Sequence, residues 1–448
     1  MHIGMFNSCI TGHWFSAAAK AIWDDQGQLQ AWLDVEAALA LAQAELGVIP
    51  PEAARTIAAQ AQVQRLDLVR LAEDIAFAQH PLVPVLRQLE ALCGEPAAGY
   101  VHWGATTQNI FDTATALQML RSHALITQAL SQAQDTLAEG ARRHAGTVMA
   151  GRTHGQHALP MTWGFKLATW LQELDRNRQR LEQRLAASFP ACVGGAIGTH
   201  AAMGAAGPQV EAALAHRLGL LPAGLASRAA YDRPCDYFSA LGLLAGTAQK
   251  IGQDLVFLQR TEIAEVAEAF HWGKVGSSTM AQKRNPATGQ LLISLARLLR
   301  GRLPMALEAM ARADEGDSSS TNLTDVLVPE IALLGVAVAE TLARLLDGLV
   351  VDAVAMQRNL DLTGGLIATE AVMMRLGQSL GRHEAHQVLY DVAQRAQSQG
   401  RSFRDCLLDE PRLAGVVSAQ TLAQWLDPAG YTGLSAELAH QAAGASTA

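Results

Sequence analysis

The chain has 448 residues, of which 50% are hydrophobic and 17% charged, so it can form about two to four domains with a large buried core. Its 34 Lys and Arg residues against 42 Asp and Glu residues give a formal net charge of −8, which provides no overall attraction to nucleic acid or to an anionic membrane. These values exclude a disordered or fibrous chain and favour a small soluble molecule as the partner.

Cysteine spacing and the N-terminal segment bear on the cellular location. The five cysteines are widely spaced and never form a Cys-x-x-Cys pair, so the sequence predicts neither a zinc site nor a disulfide framework. The segment MHIGMFNSCITGHWF lacks a basic region followed by an apolar run, and no later stretch reaches about 18 uncharged apolar residues. We therefore expect a cytoplasmic protein without an export signal or a membrane span.

Composition and periodicity predict an all-α fold. Aromatic residues make up 5% of the chain, and Ala and Leu dominate, which is typical of long helices rather than strands. Apolar residues recur at helical spacing in four stretches, which predicts helices over residues 162–187, 236–266, 288–300 and 331–346.

The predicted helix over 236–266 carries an apolar seam at alternating steps of four and three residues. Its members are Leu244, Ala248, Ile251, Leu255 and Leu258. Such a seam suits bundle packing, and helices of this length imply a bundle that continues across subunits. A monomeric bundle with the same faces turned inward would show the same periodicity, because periodicity does not identify the partner helix.

Two segments rich in helix breakers divide the chain. The helical pattern stops at GEPAAGYVHWG, residues 94–104, and again at LDLTGG, residues 360–365. We therefore predict an N-terminal helical domain over residues 1–110, a central long-helix bundle over 111–360 and a small C-terminal helical domain over 361–448.

Three polar segments, far apart in the sequence, interrupt the helical pattern and are rich in hydrogen-bond donors. They are VHWGATTQN, with Thr106 and Thr107; GRTHGQHALP, with Thr153, His154 and Gln156; and KVGSSTMAQKRNP, with Ser277, Ser278, Lys283 and Asn285. Such donors, without an acidic cluster or metal-ligand spacing, suit a substrate with several carboxylates. Structural explanations exist as well, because Thr and Asn often cap helices and lone histidines such as His102 and His157 often serve as structural hydrogen-bonding groups.

These segments resemble the conserved regions of the fumarase/aspartase superfamily. GSSTMAQKRNP is similar to the signature loop of that superfamily, GSSxMPxKxNP. GRTHGQHALP and VHWGATTQNIFDTA are similar to its other two regions, in the same order. Within the superfamily, the chain resembles the branch of adenylosuccinate lyase and 3-carboxy-cis,cis-muconate cycloisomerase.

The resemblance implies an assembly and a reaction. It implies a homotetramer whose central domains form a twenty-helix core, with each active site built from three subunits. The reaction removes a proton from the carbon next to a carboxylate and expels the group on the neighbouring carbon, often releasing fumarate, with no metal or organic cofactor. Donors in the site must then stabilise an aci-carboxylate dianion, to which preorganised dipoles can contribute several kcal/mol.

The resemblance also implies roles for single residues. Ser277 matches the general base of the family, and Lys283 and Asn285 match its carboxylate-binding pair. Thr106 and Thr107 match the substrate contacts of the first region. Serine is a weak base in water, so loop amides and the Lys283 ammonium would have to stabilise its alkoxide, most effectively after loop closure has excluded water.

Two histidines match candidate proton donors to the leaving group. His154 matches the histidine of the second region, and His80, in FAQHPLVPVL, matches one that adenylosuccinate lyases carry before the first region. The polar residues Thr153, Gln156 and Ser278 are further candidate contacts to the substrate.

Departures from the patterns of the branch bear on the substrate. Adenylosuccinate lyases usually carry HERDxSxSSVER, whose arginines hold the nucleotide phosphate. This chain has DEGDSSSTNLTD instead, with Gly316 and Asp325 at the two arginine positions. Each lost charge-assisted bond to an anion removes about 1.5–3 kcal/mol, so adenylosuccinate is disfavoured as the substrate.

Other departures bear on whether the reaction cleaves a bond or closes a ring. Bacterial cycloisomerases often have Trp at the position of His154 and commonly lack a histidine at that of His80. Retention of both favours a leaving group that needs a proton, as an amine does. Gln290 stands where many relatives have a Glu, and an amide cannot supply the charge that would raise the basicity of His154. Ala281 replaces the Pro of the signature loop, which adds open-loop conformations.

The sequence thus predicts a lyase that eliminates an amine from an N-substituted aspartate or a related polycarboxylate and releases fumarate or an analogue. The alternative is a 3-carboxy-cis,cis-muconate cycloisomerase. An adenylosuccinate lyase is less favoured because of Gly316 and Asp325, and a catalytically inactive structural homologue is less favoured because Ser277, Lys283 and Asn285 are all intact.

Overall fold

Helices dominate the fold. The computed structural model describes residues 4–271, 273 and 276–445, and 68% of it is helix against 4% strand. The predicted all-α class is therefore confirmed.

The N-terminal part contains helices of short and medium length. In chain order they are Ala17–Trp23 (α1), Asp25–Glu45 (α2), Pro51–Gln60 (α3), Leu68–Ala78 (α4) and Leu82–Cys93 (α5). Carboxylates cap two of these starts, because Asp24 accepts the backbone N–H of Gly27 (2.8 Å) and Asp67 accepts that of Arg70 (3.1 Å). Buried faces of α2, α3 and α5 share one apolar core.

The central part contains the longest helices. In chain order its helices are Thr107–Arg143 (α6), Trp163–Ser188 (α7), Gly207–Leu218 (α8), Asp232–Leu258 (α9), Ala287–Arg300 (α10), Leu303–Glu308 (α11) and Ser318–Leu346 (α12). The helices predicted over 162–187 and 288–300 are confirmed to within one residue at each end, as α7 and α10.

The C-terminal part returns to shorter helices. They are Ala353–Asp361 (α13), Thr369–Leu380 (α14), Arg382–Gln399 (α15), Phe403–Leu408 (α16), Ala419–Trp425 (α17) and Ser435–Ala445 (α18). The break predicted at 360–365 is confirmed, because the left-handed Gly364 and Gly365 (φ +57° and +96°) turn the chain between α13 and α14. Helices α14 to α17 then pack around a core that includes Phe403.

Short strands and single helical turns connect these helices. Val148–Thr153 (β1) pairs antiparallel with Gln156–Thr162 (β2), and Val266–Ala267 (β3) pairs antiparallel with Val350–Val351 (β4). Turns of 3-10 helix lie at Gly12–Trp14, Val63–Arg65, Ala97–Tyr100, Gly204–Ala206, Leu366–Ala368, Pro411–Leu413 and Pro428–Tyr431.

The predicted end of the helix over 236–266 is wrong. Helix α9 ends at Leu258, eight residues before the predicted end at residue 266, because the chain turns there. Ala264 adopts a left-handed conformation (φ +52°), and the N–H of Glu265 bonds back to the carbonyl of Leu258 (3.0 Å). Apolar periodicity did not indicate this turn, which delivers Glu265 to a buried ion pair described below.

The predicted start of the helix over 331–346 is also wrong. Helix α12 begins at Ser318, thirteen residues before the predicted start, and continues through Pro329. The carboxylate of Asp317 accepts the N–H of Ser319 (2.9 Å) at this start. Hydrogen bonds from the side chain and backbone of Ser319 and from the backbone of Ala313 lower the pKa of Asp317 to about 2.

The apolar seam of α9 is buried within the single chain. Exposed fractions are 0% for Leu244, Ala248, Ile251 and Leu255 and 2% for Leu258. The expectation that this seam faces another subunit is therefore wrong. The seam faces the interior of its own chain, as in the alternative of a monomeric bundle. Periodicity indicated burial correctly but could not identify the covering residues.

Internal contacts divide the chain into two compact units. The first unit comprises the described residues within Met1–Leu130, Asn177–Ala248 and Ser294–Glu340. The second comprises those within Ser131–Arg176, Gln249–Ile293 and Thr341–Ala448. The division into three consecutive domains stays a prediction.

Helix α12 is long and apolar enough to span a membrane by its length and composition. Its apolar window is 78% buried inside the protein, and Ile331 and Leu334 are 0% exposed. Such burial is typical of a core helix of a soluble protein.

Candidate active site

The second polar segment forms the tip of the β1–β2 hairpin. Thr153 pairs with Gln156, and the residues between them, His154 and Gly155, have φ values of +53° and +76°. Two left-handed residues in a two-residue turn match the twist of the flanking strands, although Asn or Gly is more usual than His at the first position. The turn exposes Thr153, His154 and Gln156 together.

A buried ion pair holds the strand that leads into this turn. Arg152 donates to Glu265 through both terminal nitrogens, with Nη1–Oε2 at 3.0 Å and Nη2–Oε1 at 2.5 Å. Glu265 is 0% exposed, and Nδ2 of Asn359 donates to its Oε1 at 2.8 Å. Both carboxylate oxygens are therefore satisfied, and the hairpin is fixed at the residue next to Thr153.

We expect Glu265→Ala to destabilise the protein by about 3–5 kcal/mol, because it leaves the guanidinium of Arg152 without its buried partner. Urea and thermal unfolding would measure the loss. The matched control is Glu139→Ala, which removes an exposed pair with Arg143 and should cost no more than about 1 kcal/mol. Equal losses in the two variants would contradict a structural role for the buried pair.

The two histidines with a possible structural explanation differ in their contacts. Nδ1 of His102 lies 2.6 Å from Oε1 of the buried Glu36, which is the structural hydrogen bond expected. His157 is half-buried, and its Nδ1 has no hydrogen-bond partner among the described residues. Burial and, next, the charge of Arg152 lower the pKa of His157, which favours its neutral form.

Ser277 lies in a turn that places donors on its hydroxyl oxygen. Its Oγ accepts the backbone N–H groups of Thr279 (3.3 Å) and Met280 (3.1 Å), and the residue is half-buried. These donors would stabilise negative charge on the oxygen once the hydroxyl had lost its proton. The geometry therefore suits the role of general base that the resemblance implies.

Contacts between its two ends close the rest of the signature loop. Nδ2 of Asn285 donates to the carbonyl of Gly276 (2.7 Å). A Cβ at Gly276 would clash with the carbonyl oxygen of Lys283, so the close approach requires glycine. Ser278 and Lys283 are exposed, and residues 274–275, at the start of the polar segment, lie outside the described part of the chain.

Helix α10 begins directly after the loop and is capped by a side chain that precedes it. The carboxylate of Glu268 accepts the N–H groups of Thr288 (3.0 Å) and Gly289 (2.8 Å). The guanidinium of Arg284 lies over the ring of Phe270 at 4.3 Å. The first contact joins a residue before the loop to residues after it, and the second joins a residue before the loop to one near the loop's end. Together they fix the ends of the segment that carries Ser277.

The first polar segment starts helix α6. Oδ1 of Asn109 accepts the N–H of Thr106 (3.1 Å), and the N–H of Asn109 bonds to the carbonyl of Thr106 (2.9 Å). The capping explanation is therefore confirmed for these groups. This cap uses the backbone of Thr106 and not its hydroxyl, so substrate contact by the hydroxyls of Thr106 and Thr107 stays a prediction.

His80 precedes helix α5 in the first unit. Its Nδ1 accepts the N–H of Val83 (3.3 Å), and its ring stacks on Phe111 of α6 with centroids 6.2 Å apart. A neutral imidazole that accepts through Nδ1 carries its proton on Nε2. His80 would therefore exchange a proton through Nε2.

A cavity of about 500 Å³ lies in the first unit beside these residues. Its wall includes Pro81, the neighbour of His80, and Gln108, the neighbour of Thr107. Further lining residues are aromatic, cationic or acidic: Trp23, Trp32, Phe111, Phe189, Tyr231, Arg228, Arg233, Arg312, Asp112, Asp232 and Asp325. A concave site of this volume, with apolar walls and a few charged groups, is typical of small-molecule binding.

Burial makes two carboxyl groups of this cavity weaker acids. It raises the pKa of Asp112, although the hydrogen bond from Gln108 (2.7 Å) and the charges of Arg312 and Arg228 oppose the rise. Burial and, next, the charge of Asp112 raise the pKa of Asp325. The cavity arginines therefore face carboxyl groups that ionise less readily, which favours an anionic ligand.

The predicted site residues fall into two groups. The first unit holds His80, Thr106 and Thr107, together with the cavity. The second unit holds Thr153, His154, Gln156, Ser277, Ser278, Lys283 and Asn285. That both groups form one active site stays a prediction.

Sequence reasoning missed the arginines of the cavity. Arg228, Arg233 and Arg312 lie outside the three polar segments, and no spacing rule connects them. The segment DEGDSSSTNLTD was a signal for their location, because Asp325 within it lines the same cavity.

Comparison with known proteins decides the family. Residues 15–301 match the family model described as Lyase, and residues 365–442 match the one described as Adenylosuccinate lyase C-terminus. The chain belongs to the fumarase/aspartase superfamily. The family predicted from the three polar segments is therefore confirmed.

This superfamily member has relatives that match it along nearly its whole length. N-acetyl-S-(2-succino)cysteine lyase from Dickeya dadantii (strain 3937) is 40% identical, covering 92% of this chain and 91% of the relative. The enzyme of the same name from Enterococcus italicus is 38% identical, covering 94% and 92%. The crystal structure of 3-carboxy-cis,cis-muconate lactonizing enzyme from Pseudomonas putida has a TM-score of 0.91 and 37% identity, covering 98% of this chain and 99% of that chain.

These relatives show that the superfamily member is an enzyme. The lyases agree with the predicted β-elimination, and the lactonizing enzyme agrees with the stated alternative.

Proposed function

We propose that the protein catalyses cofactor-free β-elimination from a 2-substituted succinate and releases fumarate. The cavity of the first unit carries this proposal, because its arginines and Gln108 suit a small molecule with several carboxylates. Cleavage of a carbon–nitrogen bond in an N-substituted aspartate is one form of the reaction. Cleavage of a carbon–sulfur bond is the other, since the relatives from D. dadantii and E. italicus act by name on a thioether of succinate.

Ser277 is the base in the proposed reaction. Its Oγ takes a proton from the carbon next to a carboxylate, and the C–H electron pair becomes the second bond of the fumarate double bond. The bond from the neighbouring carbon to nitrogen or sulfur breaks, and its electron pair leaves with the heteroatom. The N–H groups of Thr279 and Met280 stabilise the deprotonated oxygen before it takes this proton, and the oxygen ends the step as a neutral hydroxyl.

The remaining site residues bind the substrate and serve the leaving group. Lys283 and Asn285 bind the carboxylate on which negative charge grows, and His154 or His80 protonates a departing amine. A thiol has a pKa of about 8.5, so a departing thiolate needs this proton less. The proposed further contacts to the substrate are Thr106, Thr107, Thr153, Gln156 and Ser278.

Other copies of the chain complete the proposed active site. The resemblance implies a homotetramer with a twenty-helix core, and apolar side chains remain exposed on the single chain. Leu243, Leu307 and Val326 have exposed fractions of 55%, 53% and 64%, which suits burial in an interface between copies. We propose such a homotetramer, located in the cytoplasm.

The ultraviolet absorbance of fumarate tests the proposed reaction. The purified protein would receive N-acetyl-S-(2-succino)cysteine, a panel of N-substituted aspartates and 3-carboxy-cis,cis-muconate, with Ser277→Ala as the control. We expect fumarate from at least one substituted succinate and none with the variant. Lactone from the muconate without fumarate from any other compound would identify a cycloisomerase, and no reaction at all would identify an inactive homologue.

Adenylosuccinate should not be cleaved at a detectable rate. Gly316 and Asp325 stand where adenylosuccinate lyases usually carry phosphate-binding arginines, so two cations that would bind the phosphate are missing from these positions. Parallel assays of adenylosuccinate and the smaller succinates would compare their kcat/KM values. A kcat/KM of about 10⁶ M⁻¹s⁻¹ for adenylosuccinate, well within the usual range of enzymes on their own substrates, would contradict this prediction.

A further inference from the structure

A guanidinium group lies directly against Gly316 in the first unit. A Cβ at this position would lie 3.1 Å from Cζ and from Nη2 of Arg228 and 3.4 Å from its Nη1. A side chain at Gly316 would thus press on the guanidinium of Arg228, which would have to move by a few tenths of an ångström. Gly316 stands where adenylosuccinate lyases usually carry an arginine. The Arg228 guanidinium lies next to this position, although Arg228 belongs to a different part of the chain.

Backbone carbonyls, rather than carboxylates, anchor the arginines here. Nη1 of Arg228 donates to the carbonyl of Ala196 (3.1 Å). Arg312 donates through Nη1 to the carbonyl of Arg228 (2.9 Å) and through Nε to that of Ala309 (3.1 Å), and it lies over the ring of Tyr231 at 4.1 Å. These contacts orient both side chains while leaving their charges uncompensated by an ion pair within the described residues.

The donor capacity of Arg228 is only partly used. Its Nε is buried and has no hydrogen-bond partner in the part of the chain that the structure describes. A buried guanidinium N–H without an acceptor is costly, and an anion in the cavity would remove that cost. Both Arg228 and Arg312 line the cavity, so an anion bound there can reach them.

The surrounding carboxyl groups limit the charge of the ligand. Asp112 and Asp325 line the same cavity, and each interacts electrostatically with Arg312. A carboxylate ligand can accept hydrogen bonds from the two guanidinium groups, and any ionised fraction of the two Asp side chains repels a doubly charged phosphate more strongly than a singly charged carboxylate. The cavity therefore suits a carboxylate.

We propose that Arg228 and Arg312 form a subsite for a carboxylate on the leaving group, so that the preferred substrate is a 2-substituted succinate whose departing amine or thiol is itself a carboxylic acid. This inference rests on the proposed function and names its substrate class. Gly316 acts as a positioning residue, because it leaves room for the Arg228 guanidinium.

A pair of matched substrates tests this subsite. One is N-acetyl-S-(2-succino)cysteine, and the other is its analogue with a primary amide in place of the cysteine carboxylate. In the wild-type protein we expect kcat/KM to be about 10- to 100-fold higher for the acid than for the amide, the effect of one charge-assisted interaction. In Arg228→Gln this ratio should fall to about one. Gly316→Ala keeps the charge and shifts the guanidinium by only a few tenths of an ångström, so it should lower the ratio by less than Arg228→Gln does.

Arg55→Gln is the control, because Arg55 is exposed, pairs with Glu52 and does not line the cavity. It should leave the ratio at the wild-type value. A wild-type ratio near one would overturn the subsite, and so would a ratio that Arg228→Gln leaves unchanged.

A binding measurement separates this inference from the proposed reaction. Calorimetry would compare N-acetylcysteine with N-acetylcysteinamide, and tighter binding of the acid to the wild-type protein, but not to Arg228→Gln, is expected. If no succinate released fumarate but this difference remained, the proposed reaction would be wrong and the subsite would stand. If fumarate formed but acid and amide bound and reacted alike, the subsite would be wrong and the reaction would stand. The subsite would also be overturned if neither N-acetylcysteine nor N-acetylcysteinamide bound and the acid and amide substrates were turned over equally well.

Discussion

Ser277→Ala should lower kcat by about 10²–10⁴-fold, because it removes the group that takes the proton. The N–H groups of Thr279 and Met280, at 3.3 and 3.1 Å from Ser277 Oγ, would be left without the oxygen that they stabilise. Folding and assembly should be unaffected, since a small hydroxyl in a loop contributes little packing. Steady-state kinetics, with circular dichroism and light scattering on the same samples, would measure both effects.

Ser278 provides the matched control for this prediction. It is the neighbouring serine, it is exposed, and no described role requires its hydroxyl in proton transfer. Ser278→Ala should therefore lower kcat much less than Ser277→Ala. A kcat for Ser277→Ala within a few-fold of the wild-type value would contradict the assignment of the base.

Mixed oligomers should recover activity that neither parent variant has. Ser277 lies on the loop before α10 and His154 at the tip of the β1–β2 hairpin, and the proposed active site takes them from different subunits. When inactive Ser277→Ala subunits are mixed with inactive His154→Ala subunits after dissociation, some sites should receive neither substitution. Activity after reassociation would measure the recovery.

Each variant dissociated and reassociated alone must stay inactive for this test to count. Light scattering would confirm that mixed tetramers have formed. An active monomer, or mixed tetramers without activity, would contradict the composite site. The partner surface would not be the α9 seam, because Ile251 and Leu255 are already buried within one chain.

Sequence patterns predicted helices well where burial is periodic and breakers are absent. Helix α7 follows its apolar stripe from Trp163 to Ser188, so its limits were predicted to within one residue. The start of α12 depends on a cap by Asp317 and on tolerance of Pro329, which are local features that periodicity does not report. The end of α9 depends on a turn that delivers Glu265 to Arg152, a residue distant in sequence.

In the candidate site, too, the features set by continuous sequence could be predicted and those set by contacts between distant residues could not. Ser277 could be predicted because the signature loop is continuous in sequence, and its short turn brings its own N–H donors to the hydroxyl. The contact between Gly316 and the Arg228 guanidinium could not be predicted, because the two residues are distant in sequence. Proximity of that kind follows only from the packed fold.

Addition of a thiol to fumarate in heavy water tests the central claim most directly. By microscopic reversibility, the wild-type protein should join N-acetylcysteine to fumarate and place one deuterium on the carbon next to the new carbon–sulfur bond. Proton NMR should show a single diastereomer, formed faster than in the presence of Ser277→Ala. Because the leaving group could instead be an amine, N-substituted aspartates would be formed from fumarate and amines in parallel. A mixture of diastereomers at the spontaneous rate with every thiol and amine would contradict β-elimination by this protein.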